Sequence, residues 1–190
     1  MTSPTIDLSF PRHWQAEILP ARPLILPPRH FVYPAQAEEV ERGALEVLVR
    51  QDAPGMLPFL ATCALGFRDP AVPTGLWSTP NPDDLCAVSG GYAYLISTIA
   101  PERFTMLAFR PVLDIRPLPA QGLLLFAGHH AILAWGRNGL AWQSPRLSSE
   151  GVTVTAIEGN ILYGLGWEMM TDKETPFALD LNTGLPILPS

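Results

Sequence analysis

Hydrophobic and polar positions alternate with period two along much of this chain. Leu45, Val47 and Val49 alternate with Ala44, Glu46 and Leu48, and Val152, Val154 and Ala156 alternate with Thr153 and Thr155. Ile161, Tyr163, Leu165 and Trp167 fall on one face of a further segment. Alternation of this kind places successive side chains on opposite faces of a β-strand. Shorter apolar runs at Phe59–Phe67, Cys86–Val88, Tyr92–Ser97, Phe104–Phe109, Val112–Ile115, Leu123–Phe126, Ala131–Trp135, Leu140–Trp142 and Phe177–Leu181 bring the total to about twelve predicted strands.

Turn chemistry separates these runs. Asn138-Gly139 and Gly159-Asn160 are the dipeptides that two-residue hairpins favour, because type I′ and II′ turns need positive φ angles, and Asn182-Thr183-Gly184 closes the last predicted strand. Turn signals every 8 to 12 residues or so predict an all-β fold, a predominantly antiparallel meander of hairpins in a sandwich or barrel, with a small propeller-like assembly as the alternative. One short helix is predicted from Pro34 to Arg42, with proline at its start, acidic residues early and Gly43 to stop it.

Proline sets the boundaries. Pro4, Pro11, Pro20, Pro23, Pro27, Pro28 and Pro34 exclude a long helix or central strand from the first 34 residues. The same segment carries Phe10, Trp14, Ile18, Leu24, Ile25, Leu26, Phe31, Val32 and Tyr33, too much apolar surface for a free linker. Residues 1–34 therefore read as an extended strap packed on a single all-β domain, residues 35–190. A proline-rich ligand around Pro20-Ala-Arg-Pro23 is the sharper alternative. Pro70, Pro73, Pro80 and Pro82 make Asp69–Asp84 a predicted loop that exposes Trp77.

Composition narrows the function classes. The chain has 190 residues, 16% of them charged, a net charge of −6 and only 12 Lys and Arg. The basic residues are scattered singly, so no nucleic-acid footprint is expected. No apolar run approaches the roughly 20 residues that span a bilayer, and the N-terminus lacks a charged segment followed by an apolar one. These features predict a cytoplasmic protein without a membrane partner. Cys63 and Cys86 lie in apolar surroundings and read as buried free thiols. Neither Cys-x-x-Cys nor His-x-x-x-His occurs, so no metal or cofactor is expected.

Two segments, Ile132-Leu-Ala-Trp-Gly-Arg-Asn-Gly139-Leu-Ala-Trp142 and Phe177-Ala-Leu-Asp-Leu-Asn-Thr-Gly184-Leu-Pro-Ile187, resemble the strand, turn and strand unit of quinoprotein-type β-propeller repeats. Their register differs by one residue: Ala134 lies five positions before its glycine and Ala178 six. The whole tract Leu123–Gly184, with Gly128-His-His, Glu158-Gly-Asn and Gly166-Trp-Glu-Met-Met-Thr-Asp, also resembles a group of uncharacterised bacterial β-rich proteins. That resemblance implies a β-rich fold and brings no activity, cofactor or catalytic residue.

Candidate chemistry is sparse. His129 and His130 adjoin a turn where imidazoles could act as bases or ligands, yet neighbouring strand positions face opposite ways. His13 and His30 lie in the strap. Glu168, Asp172, Glu174 and Asp180 read as solvated hairpin loops, and Ser89-Gly90-Gly91 as a turn before Tyr92, since Gly-x-Ser-x-Gly is absent. Trp135 and Trp142 flank one turn and could pair across strands. The expectation is a noncatalytic binding or interaction module that takes a protein or small-molecule ligand. Trp77, His129 and His130 are its candidate contact residues. A hydrolase-like enzyme using His with Asp or Glu is the alternative, and exposed sheet edges leave room for a homo-oligomer.

Overall fold

The computed structural model describes residues 4–36 and 42–187. The described residues form sixteen strands in four mostly antiparallel sheets, none closed into a barrel. The chain gathers into two compact units, Met1–Pro111 and Val112–Ser190. That boundary falls inside the span predicted as a single domain, and the strap predicted for residues 1–34 belongs to the first unit. Ala35 and Gln36 form a turn, and residues 37–41, which carry most of the predicted short helix, lie outside the described residues.

The first unit is a sandwich of two sheets. One contains β1 (Thr5–Asp7), β6 (Gly75–Ser78), β7 (Asp84–Ser89), β8 (Tyr92–Ser97) and β9 (Phe104–Met106), in that order across the sheet. The other has the order β2 (Trp14–Leu19), β4 (Ala44–Gln51), β5 (Phe59–Ala64), β3 (His30–Tyr33). The pairs β1/β6 and β3/β5 are parallel and the rest antiparallel. Alternation decides which side chains meet between the sheets. Leu45, Val47 and Val49 of β4 stand opposite Cys63, Ala61 and Phe59 of β5, and this face packs against Leu76, Leu85, Ala87, Tyr94 and Ile96 of the partner sheet. Glu46 and Leu48, opposite Thr62 and Leu60, point the other way.

The strap is woven into this sandwich as three edge strands, β1, β2 and β3. Phe10 N–H donates to Ser78 Oγ at 2.9 Å, and Trp14, fully buried, donates through Nε1 to the Asp84 carbonyl at 3.2 Å. β6 corrects the loop reading of Asp69–Asp84. It is an interior strand flanked by β1 and β7, and Trp77 within it is buried rather than exposed.

The second unit packs a four-stranded sheet, β10 (Asp114–Leu118), β11 (Leu123–Ala127), β12 (Ile132–Gly136) and β13 (Gly139–Gln143), on a three-stranded one, β14 (Val152–Glu158), β15 (Ile161–Glu168) and β16 (Lys173–Asp180). Leu123, Leu125, Ile132, Ala134 and Trp142 meet Val152, Val154, Leu162 and Leu179 between them. The two glycine turns of the propeller-like repeat belong to different sheets, and the sheets stack face to face in place of radiating as blades.

Two turns show how backbone conformation sets register. Gly90 and Gly91, at φ 56° and 75°, both occupy the positive region that a type I′ hairpin requires, so Ser89-Gly90-Gly91 is a turn. Among the described residues Asp172 is the one non-glycine with positive φ, so Asn138 does not adopt the I′ conformation predicted for Asn138-Gly139. The turn residues are Arg137 and Asn138, Gly139 opens β13 opposite Gly136 at φ 110°, and the register shifts between Ala134 and Trp135. Trp135 consequently pairs with Leu140, and Trp142 with Ala134, so the predicted cross-strand tryptophan pair does not form.

Candidate binding surface

Strand order dictates where residues 20–29 run. β2 and β3 lie at opposite edges of their sheet, so the connection between them must pass β4 and β5, three inter-strand spacings or about 14 Å. Ten residues have ample reach for this. The inner face of the sheet is filled by the sandwich core, which leaves the outer face, where Glu46, Leu60 and Thr62 are buried.

A polar chain on that face pins the crossing. Arg22 Nε donates to Glu46 Oε1 at 2.8 Å, and Thr62 Oγ1 donates to Glu46 Oε2 at 2.5 Å. A carboxylate only accepts, so the Thr62 hydroxyl proton is committed to Glu46, and Thr62 Oγ1 must accept from His30 Nε2, 2.9 Å away. His30 therefore carries its proton on Nε2. Glu46 is 6% exposed and is held by two donors, as a buried carboxylate must be. At the far end Arg29 donates to the Leu57 carbonyl at 2.8 Å and lies over the rings of Phe31 and Phe59.

Between these anchors the chain presents its aliphatic side chains outward. Leu24 is 105% exposed, Ile25 88% and Leu26 44%, while the framing Pro23 and Pro27 are half-buried. As part of an apolar strap these three residues are expected to pack. They do not: the crossing covers Glu46, Leu60 and Thr62, and among the described residues of the first unit no further strand layer lies over it.

The residues singled out from sequence are placed apart. Trp77 lies in the first unit with 4% of its surface exposed, which removes it as a surface contact. His129 and His130 lie in the second unit in the connection between β11 and β12. Their ring centroids are 6.2 Å apart with planes tilted 48°. His130 Nδ1 lies 3.2 Å from the Ser148 carbonyl, which can only accept, so that nitrogen bears the proton and the ring ties the turn to the 144–151 segment. The main chain makes the same link, with Leu147 N–H donating to the His130 carbonyl at 2.7 Å.

Of the four acidic candidates on and between β15 and β16, three serve a local turn. Asp172 Oδ1 accepts from Trp167 Nε1 at 3.1 Å, Glu168 Oε1 from Met170 N–H at 3.1 Å and Asp180 Oδ1 from Asn182 N–H at 2.7 Å. Among the described residues no group of three or more His, Cys, Asp or Glu is gathered as a metal ion would need. Cys63 and Cys86 are buried free thiols, and burial pushes both thiols up from their ordinary range.

The histidine that meets a carboxylate is His13. Its Nδ1 lies 2.9 Å from Asp83 Oδ1, with side-chain exposures of 64% and 34%. Sequence reasoning missed this pair because 70 residues separate its members. It also missed the Arg22–Glu46–Thr62–His30 chain. One signal was available, the lone acid within Ala44-Leu-Glu-Val-Leu-Val49, where a strand so apolar needs a partner for its carboxylate.

Fold and surface together define an all-β sandwich protein with a proline-framed apolar loop laid over one sheet. Neither a protein-family model nor a curated protein matches the chain.

Proposed function

We propose that this chain is a noncatalytic interaction module whose contact surface is the Pro23–Pro28 loop. The observation that carries this reading is the exposure of three consecutive aliphatic residues on a segment anchored at both ends. Leaving a Leu or Ile in water forgoes about 1.5–3 kcal/mol per side chain relative to burial. A loop held out by an ion pair with a buried carboxylate is ordered in advance, which lowers the entropy lost when a partner covers it.

A photo-activated cross-linker at position 25 in living cells tests this. The reading expects one dominant adduct, lost when Leu24 and Leu26 are changed to Ser and absent when the cross-linker stands at Gln15, an exposed position on β2. Equal labelling at positions 25 and 15 would overturn it.

A second reading rests on His13 and Asp83. An imidazole whose Nδ1 is held by a carboxylate is oriented to use Nε2 as a general base, which would suit a hydrolase. Hydrolysis of activated esters that is lost in His13→Gln but retained in Leu24→Ser would favour it over the interaction module.

A further inference from the structure

We propose that the Pro23–Pro28 loop inserts into the interface of an anionic lipid bilayer. This rests on reading that loop as the interaction surface, and three features of the loop select a bilayer as occupant.

The first is side-chain chemistry. Protein contacts concentrate their energy in Trp, Tyr and Arg anchors, with Leu under-represented. The exposed triad here, Leu24-Ile25-Leu26, is wholly aliphatic, and transfer into hydrocarbon needs no complementary pocket.

The second is the backbone. A loop entering an apolar medium carries its N–H donors with it, and unsatisfied donors oppose entry. Pro23, Pro27 and Pro28 have none, so half of the six residues Pro23–Pro28 bring no donor to desolvate.

The third is charge. Around the triad the structure places Arg22 and Arg29 with the carboxylate of Glu46, which pairs with Arg22, a local net of +1 in a chain of −6. Arg22 and Arg29 bracket the triad. Arg22 is 41% exposed and uses Nε on Glu46, leaving other guanidinium donors for phosphate. Long arginine stems let aliphatic neighbours enter the acyl boundary while the charge stays at headgroup level. An apolar run too short to span a bilayer is long enough to lie in its interface, so the expectation of no membrane partner, drawn from spanning length, does not reach this loop.

Sedimentation of the full chain with unilamellar vesicles tests the proposal. The chain is expected to bind vesicles of equal parts phosphatidylcholine and phosphatidylserine. Phosphatidylcholine alone should bind it about tenfold or more weakly. Leu24→Ser/Ile25→Ser should lower binding to the mixed vesicles about tenfold or more, with the urea midpoint unchanged. Arg29→Gln should lower it about fivefold. Wild-type protein that sediments with neither vesicle, or binding that survives the double serine substitution, overturns the proposal. If vesicles fail while the cross-linker at position 25 still yields a protein adduct, a second copy of the chain included, the lipid inference falls and the interaction reading stands. If both fail, both fall.

Discussion

Two proline-rich segments of the first unit, residues 20–29 and 69–84, invert the expectation drawn from their sequences. The first, rich in Leu and Ile, reads as a packed strap, yet it displays Leu24 and Ile25 to solvent. The second reads as an exposed loop, yet it supplies the interior strand β6 and buries Trp77 at 4% exposure. The difference lies in what each segment meets. β6 finds hydrogen-bonding strands on both sides, β1 through Thr5–Asp7 and β7 through Leu85–Val88. Residues 20–29 cross a sheet face over which the described residues of the first unit place no further strand layer. Proline restricts what a backbone can do; the neighbouring layer decides which side chains leave water.

The largest expected effect tests that contrast directly. Trp77→Ala should cost about 3–5 kcal/mol, the range for removing a large buried aromatic. Leu24→Ser should shift stability by less than about 0.5 kcal/mol, as for an ordinary surface change. Urea denaturation of both variants measures the gap. Comparable losses would break the comparison, because they would mean that the loop is as much a part of the core as β6.

The same contrast explains what was legible beforehand. The predicted strands beyond residue 44 correspond to strands in the structure, because alternation and turn residues are local signals. The strands not predicted are β1, β2, β3 and β6, all in proline-rich stretches. None contains a proline; each is a short run between prolines, and β1, β2 and β3 sit at sheet edges where one side needs no ladder partner. Proline density therefore concealed strands by counting against whole segments instead of single positions. The candidate surface was half legible. Pro20-Ala-Arg-Pro23 and the aliphatic run were visible, but Arg22 meets Glu46 across 24 residues and His30 meets Thr62 across 32, contacts that only strand order creates. Of the adjacent histidines, His130 ties its turn to the Ser148 carbonyl, a contact 18 residues away that the sequence does not show.

A smaller effect asks whether charge or apolar contact holds the first segment. Arg22→Ala leaves the Glu46 carboxylate, 6% exposed, with Thr62 as its remaining donor, and should cost about 1–3 kcal/mol. Adding Glu46→Gln should return part of that loss, because the buried charge is removed together with its partner. A thermal or urea cycle over the four proteins gives the coupling. If Arg22→Ala were neutral, the crossing would be held by its prolines and the polar chain would be incidental.

The smallest effect concerns the end of the second segment, where burial extends to a carboxylate. Burial is the largest influence on Asp84 and pushes its carboxyl above the ordinary range. The Asn81 side-chain amide, which donates to Asp84 Oδ2 at 2.9 Å, works against it, as does the charge of Arg103, while Asp83 adds to the rise. A carboxyl that holds its proton more tightly in the folded chain than in the unfolded one favours folding when protonated. Its ionisation therefore costs stability as pH rises, and the cost is fully present above the raised folded value and absent below the unfolded value of about 3.9. Asp84→Asn keeps an oxygen for the Asn81 amide and carries no charge. It should raise the urea midpoint at pH 7 by less than either loss above, and the gain should close as pH falls toward that unfolded value. A midpoint lowered at pH 7 would show that the carboxylate is stabilised there. Asp84 would then behave as Glu46 does on the opposite sheet, a charge held by its donors, and the two segments would handle buried charge alike while differing in where they put their apolar side chains.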